Sequence, residues 1–508
     1  MIKTKQVKHI IILILLSCLF FILGNGILSL TNPDEVFYVQ TAKEMARQNS
    51  WATPYMFGVP QFEKPIFTYW LLRLGFIIFG VTSFAVRFFP AIFALLGVLA
   101  IYCLCVIGFK NEKKAFISGI IFMSCGLCIG LARTVFTDMI FSIFILISLL
   151  AFFWSYSNKN KKSPGILLFF VSSALAVLTK GPLGLMIPLL IISSFLYIKK
   201  DIKFLFCKSF LWGVFIFLLV SLPWYLIMLN KYGGSFIREF FYNDHFRRLI
   251  EAEHPNNDKW YFYPFSMAGC MFPWSLYVLV AIFYSFKNIR RNSQALDIFL
   301  VCWLVIVFLL FQPAHSKLVS YIFPLFPALA IITGSLIYDV ALSKNKSRLF
   351  FIISLVMSAI ILLIPIGLIV VLVKYPAYAS LRMPACVLIL AILSLGGSML
   401  FFILRGRMLK SIYILAALNM VFISVIPFVS KEIEGYASSK NACEYLLKNY
   451  KVDNVILCAK FFVRGVKYYT DKEVAVMDIP GKQFFSPHPV PFLDSDDKVR
   501  AFLSKQSV

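Results

Sequence analysis

Apolar residues in this 508-residue chain run in long blocks separated by short polar stretches. A helix needs roughly 20 apolar residues to cross a bilayer. Blocks of about that length fall near 10–30, 84–108, 115–132, 138–157, 164–180, 182–198 and 207–229. Further blocks lie near 266–286, 295–311, 319–340, 349–373, 384–404 and 411–429. They predict about thirteen membrane-crossing helices, the second of which can begin earlier because 66–80 is also apolar. After residue 430 the blocks stop. Segment 437–450 then reads as a helix, 455–459 and 474–479 as short buried strands, and 494–503 as a weaker helix. The expected organisation is an α-helical polytopic membrane domain over 1–430 and a small soluble α/β domain over 431–508.

Composition agrees with the pattern. The chain is 60% hydrophobic and 14% charged, more apolar surface than a soluble protein of this length can bury. A net charge of +25 would suggest nucleic acid in a soluble protein. Here the cations sit in loops between apolar blocks. Alternate loops carry Lys3/Lys5/Lys8, Lys110/Lys113/Lys114, Lys159/Lys161/Lys162, Lys199/Lys200/Lys203, Lys287/Arg290/Arg291, Lys344/Lys346/Arg348 and Arg405/Arg407/Lys410. Basic loops stay cytoplasmic, so the N-terminus is expected inside and the tail after residue 430 outside. Membrane topology explains the charge, and no nucleic-acid partner is expected. The first block exceeds a signal-peptide core and lacks a clear cleavage site, so it reads as a retained helix. Most cysteines lie inside apolar blocks and behave as small hydrophobes. Cys443 and Cys458 lie in the exported tail, where a disulfide and two separate thiols are both open.

Acids gather at the other end of the spans. Two long outer loops, 31–83 and 230–265, carry most of them. Asn32-Pro-Asp-Glu reads as a helix start: Asn32 at the N-cap, Pro33 at the first turn, and Glu35 completing a capping box. Val36, Val39, Met45 and Ala46 then form an apolar face, which predicts an amphipathic helix lying on the membrane. Dipole complementation accounts for Glu35 and leaves Asp34 spare. Asp34 is therefore the candidate general base or charge stabiliser. Phe62-Glu63-Lys64-Pro65 adds a second acid and a cation suited to phosphate, although lysine at a helix end also snorkels to the interface.

Arg133, Asp138, Lys180, His315 and Lys317 are polar residues at the outer ends of apolar blocks. Lys180 sits in a turn too short and on the wrong side to be a topology signal. Cations converging on one face suit an anionic lipid headgroup. The chain has no Gly-rich nucleotide loop and no serine elbow, and an outward site has no access to cytoplasmic nucleotide, so a sugar donor used there would need to be lipid-linked. A transporter or flippase of lipid-linked sugars is the competing class. Against it, no internal repeat is evident, and charge gathers at one face rather than the midplane.

These motifs resemble a known family. Asp34-Glu35, Phe-Glu-Lys-Pro at 62–65, Ala85-Val-Arg-Phe-Phe-Pro, Thr137-Asp138, Leu178-Thr-Lys-Gly, Asp244-His245-Phe-Arg-Arg, Trp260-Tyr-Phe-Tyr-Pro, Phe272-Pro-Trp and Ser316-Lys317-Leu-Val-Ser-Tyr321 resemble the polyprenyl-phosphate-dependent membrane glycosyltransferases of the GT-C type. Within them the likeness is to aminoarabinose–lipid A transferases and protein mannosyltransferases. The resemblance implies a GT-C fold in a bacterial cytoplasmic (inner) membrane. It also implies inverting transfer of a sugar from a polyprenyl-phosphate donor such as undecaprenyl phosphate to lipid A, another glycolipid or a protein. Asp34 matches the catalytic acid, with Asp138 a second acid on the acceptor side. Lys64 matches the lysine that holds the carrier phosphate. Glu35, Glu63, Lys180, Arg247, Arg248, Lys317 and Tyr321 match positions around the same phosphate or cavity. A divalent metal on Glu63 and His245 is conceivable by side-chain type, but two ligands are too few to argue one. The sequence departs from the aminoarabinose pattern two residues after Glu35, where Phe37 replaces an arginine.

Overall fold

The computed structural model describes residues 4–158, 162–252, 255–288, 294–342, 348–478 and 490–505. Lys3, Lys159, Lys161, Glu253, His254, Arg290, Arg291, Lys344, Lys346 and Ile479, which entered the charge and strand expectations, lie outside the described residues. Within them, nine helices are long and apolar enough to cross a membrane, or eleven if two bent pairs each count as one. Every predicted block lies on one of these or on the shorter apolar helices Leu183–Ile198 and Ala295–Phe311. The first helix ends earlier than expected, at Ile22, and the chain beyond it turns back into the protein. Residues 66–80 form a separate helix, Phe67–Phe79.

Burial sorts the helices. In Thr137–Ser157 and Val319–Ala341, which form the centre, 78% of the residues in the most apolar 18-residue stretch are buried, against 22% in Lys208–Tyr232 and Arg348–Lys374. Leu211, Trp212, Phe215 and Leu219 stand exposed on the former. Lipid suits such a face, because apolar side chains in water cost free energy in proportion to their area.

The two bent pairs lie against each other. Glu112–Ser124 and Gly126–Ala132 meet at 64°, and Phe262–Cys270 and Ser275–Lys287 at 118°. A break inside a bilayer frees backbone groups that must find partners within the protein. Asn419 supplies them, its amide donating to the Ser124 carbonyl at 2.7 Å and the Phe272 carbonyl at 3.2 Å. The Gly126 N–H donates to the same Phe272 carbonyl.

The last long helix, Met408–Ala437, continues past residue 430 and leads directly into the C-terminal domain. There Ile456–Ala459, Val474–Met477 and Phe492–Leu493 form a three-stranded parallel sheet in that order. Helix Lys440–Asn449 and helix Val463–Thr470 pack beside it. The second of these was not foreseen in the sequence. Cys443 and Cys458 share the small core and are both free thiols.

This domain changes the environment of helix Asp34–Arg47. Instead of lying on the membrane, the helix is buried over almost its whole length. Helix Val463–Thr470 covers the polar side that the amphipathic reading gave to solvent and headgroups. Lys43 and Arg47 both bind Asp471, at 2.9 and 2.6 Å, and Lys43 also donates to the Tyr468 carbonyl. At the other end of the helix, the Asn32 N–H donates to the Ala437 carbonyl and the Leu30 N–H to the Tyr469 hydroxyl.

Candidate active site

The expected capping box does not form. The helix begins at Asp34, its cap position is Pro33, and no side chain caps it. Asn32 is instead drawn towards the C-terminal domain by its bond to Ala437. Glu35 reaches back to the N–H and hydroxyl of Thr31, but its principal partner is Arg87. Two parallel bonds of 2.7 Å join the guanidinium to the carboxylate. Val135 N–H donates to it as well. Glu35 is 1% exposed. It therefore has no open side for a substrate, contrary to the expectation that it lines the phosphate site. Arg87 completes its own set on the carbonyls of Asn25, Leu28 and Ser29, which ties the turn after the first span to the helix start.

Asp34 behaves oppositely. It is exposed in the first turn of the helix, where the positive end of the helix dipole favours its ionised form. Its charge and that of Asp138 both act on the Tyr38 hydroxyl one turn along. Burial is the main cause that pushes this hydroxyl well above its ordinary range, and Tyr69, Asp138 and Asp34 add to it. Tyr38 is thus a neutral hydroxyl that feels both carboxylates, a residue the motifs did not single out.

The cations converge on this region, each matched to an acid. Lys64 donates to both oxygens of Asp244 at 2.9 and 2.8 Å. Arg248 lies 3.1 Å from the same carboxylate and donates to the Tyr321 hydroxyl at 2.9 Å. Lys180 binds Asp138 at 2.5 Å and stands 4.4 Å from the centre of the Tyr321 ring. Lys180 also feels the charges of Lys64 and Asp244. Lys64, Lys180, Arg248, Tyr321, Asp138 and Asp244 accordingly form one network drawn from five separate stretches of chain. Burial alone would raise the Asp244 carboxyl, but Lys64 and then Arg248 outweigh it and hold the group below the ordinary carboxylate range.

Several expected members lie elsewhere. Arg247 turns to Glu251 at 2.6 Å on an exposed surface, so Arg248 is the arginine in the network. Lys317 is buried but bound to Asp258 at 2.8 Å, with His315 on the other oxygen at 2.7 Å. That triad adjoins the network through the Ser316 N–H, which donates to the Arg248 carbonyl. Arg133 caps the first span, donating to the Phe20 and Leu23 carbonyls. Glu63 is partly buried and influences Glu239 and Tyr69.

His245 faces two carbonyl oxygens, Phe240 at 2.7 Å and Lys180 at 3.3 Å. Both ring nitrogens are thereby turned to backbone, not to Glu63. Among the described residues no group of three His, Cys, Asp or Glu side chains is placed to hold a metal ion. Gly181 makes the histidine's approach feasible: its φ is +99°, and a Cβ there would collide with the imidazole. Burial lowers the His245 pKa below its ordinary 6.5, against the opposing pull of Asp244 and the Phe240 carbonyl. As pH falls, the unfolded imidazole therefore takes up its proton first. Stability from this group is whole above about pH 6.5 and declines as pH drops towards the folded value. Asp244 titrates below its ordinary 3.8 and does not overlap that window. In thermal unfolding between about pH 7.5 and 5.5, His245→Gln should flatten the acid decline; an unchanged slope would mean that His245 carries no such linkage.

The family model described as "Dolichyl-phosphate-mannose-protein mannosyltransferase" matches residues 63–227. The chain is 30% identical over 319 residues to the undecaprenyl phosphate-alpha-4-amino-4-deoxy-L-arabinose arabinosyl transferase 2 of Proteus mirabilis, covering 61% of this chain and 56% of that protein. To the corresponding transferase of Enterobacter sp. it is 29% identical over 389 residues, covering 74% and 68%. The chain thus spans between about half and two thirds of these curated relatives. In three dimensions it matches the crystal structure of ArnT from Cupriavidus metallidurans bound to undecaprenyl phosphate, with a TM-score of 0.80, 17% identity, and 99% and 95% of the two chains covered. The archaeal oligosaccharyltransferase AglB from Archaeoglobus fulgidus matches more distantly, with a TM-score of 0.52. The expected helical membrane fold with a small α/β domain is borne out.

Proposed function

Because the chain belongs to the polyprenyl-phosphate-dependent membrane glycosyltransferases of the GT-C type, we propose that it transfers a sugar from a polyprenyl-phosphate donor to a glycolipid such as lipid A. The observation that carries this is one exposed carboxylate, Asp34, which acts on Tyr38 together with Asp138, a member of a partly buried network of paired cations. The reaction takes place at the outer face of the cytoplasmic membrane, with the N-terminus inside and the C-terminal domain outside. Alternating basic loops support that orientation.

In this reading Asp34 accepts the proton of the acceptor hydroxyl as that oxygen attacks the anomeric carbon. The bond from that carbon to the phosphate oxygen breaks, with inversion, and the polyprenyl phosphate leaves. Negative charge grows on the leaving phosphate, so cations already in place lower the barrier. Lys64 and Arg248 share Asp244; the incoming phosphate takes up part of that pairing. Tyr321 and Lys180 border the same site. Asp138 keeps Lys180 in place and, through Tyr38, borders the acceptor side.

Mass spectrometry of envelope glycolipids with and without the chain should reveal one glycosylated lipid that depends on it. No lipid difference, together with no transfer from an undecaprenyl-phosphate sugar by the purified protein, rules the reading out. Lys64→Ala should weaken binding of undecaprenyl phosphate by about tenfold to a hundredfold, the scale of one charge-assisted bond. Unchanged donor affinity would return Lys64 to a purely structural pairing with Asp244.

A further inference from the structure

Arg464 belongs to the C-terminal domain, yet its guanidinium carbon lies 4.6 Å from the centre of the Phe37 ring. Phe37 is one turn beyond Asp34, and residues three apart share a helix face. Arg464 also acts electrostatically on the Tyr69 hydroxyl, which in turn senses Glu63. The guanidinium therefore packs on the helix that carries Asp34, over the ring one turn beyond it.

Its position is set by the surrounding packing. Asp471 anchors one end of helix Val463–Thr470 to Lys43 and Arg47. At the other end Gly465, next to Arg464, presses on Asn32 and Ser439 so closely that a Cβ would collide with both. The Tyr469 hydroxyl accepts the Leu30 N–H between these points. Three contacts thus hold the helix against the Asp34 turn, and an aromatic ring orients the guanidinium. A planar guanidinium suits phosphate, which it grips through two parallel bonds.

We infer that Arg464 is a substrate-binding residue, holding a phosphate group of a lipid substrate across the Phe37 ring, so that the C-terminal domain completes the active site. This rests on the transferase reading above. Two sources of phosphate are possible, the polyprenyl carrier and a phosphorylated glycolipid acceptor.

The test uses the full-length protein in detergent, with undecaprenyl phosphate and bisphosphorylated lipid A as separate binding probes. Arg464→Gln should weaken one of them by about tenfold to a hundredfold, and the probe affected identifies the source. Arg464→Lys should recover part of the loss. Phe37→Arg combined with Arg464→Gln should recover most of it, because residue 37 lies directly beneath the guanidinium. A merely structural arginine would not be rescued from that side. Arg464→Gln with normal affinity for both probes overturns the inference, as does a loss that neither Arg464→Lys nor Phe37→Arg recovers. Sugar transfer by the unsubstituted protein is scored separately. Absent transfer with Arg464-dependent binding defeats the transferase reading alone. Transfer with Arg464-independent binding defeats this inference alone.

Discussion

Asp34→Asn should fold, insert and bind the carrier lipid normally, yet transfer sugar about 10²- to 10⁴-fold more slowly, the range expected for loss of a general base. The substitution keeps shape and removes only the charge and its basicity. Asp34 is exposed at the start of helix Asp34–Arg47, where losing a solvated charge costs little, so stability should barely change. The measurement is turnover with an undecaprenyl-phosphate sugar at saturating donor, alongside a melting temperature. Turnover within a few fold of the unsubstituted protein would remove Asp34 from the chemistry. Its neighbour provides the contrast, because Glu35→Gln should act through folding and not through catalysis.

The second large effect concerns that neighbour. Arg87→Met should destabilise the protein by roughly 3–5 kcal/mol, the usual cost of leaving one member of a buried ion pair alone. Glu35 would keep its bonds to Thr31 and Val135 but lose both guanidinium bonds at 2.7 Å. The carbonyls of Asn25, Leu28 and Ser29 would lose their donor as well. Expected results are poor recovery of folded protein from membranes and a clear drop in melting temperature. Adding Glu35→Gln to Arg87→Met should return a good part of the loss, since the orphaned charge is then gone. A melting temperature unchanged by Arg87→Met alone would show the pair to be energetically idle.

These two adjacent acids illustrate what could be read along the chain and what could not. Asp34 stood out because dipole complementation required only one acid, and the structure leaves it exposed. Which of the two turns inward depends on Arg87, 52 residues away, which the sequence reading met only as part of the Ala85-Val-Arg-Phe-Phe-Pro motif. Phe37 was legible as an anomaly in the motif. Nothing local pointed to Arg464, in a domain whose sequence carries no recognisable chemistry. The amphipathic helix was mislocated for the same reason: its polar face meets Asp471 rather than water or headgroups.

By itself the sequence determined that this chain crosses a membrane many times, where the crossings lie, and which motifs carry polar chemistry. Those properties follow from apolar runs and short spacings, which act over a few helical turns. Only the tertiary structure decided the partners: Lys64 with Asp244, Lys180 with Asp138, Glu35 with Arg87, and Phe37 with Arg464. A buried charge takes whichever opposite charge the packing of distant helices brings within bonding distance. That distance is a property of the packed helices, and no spacing along the chain encodes it.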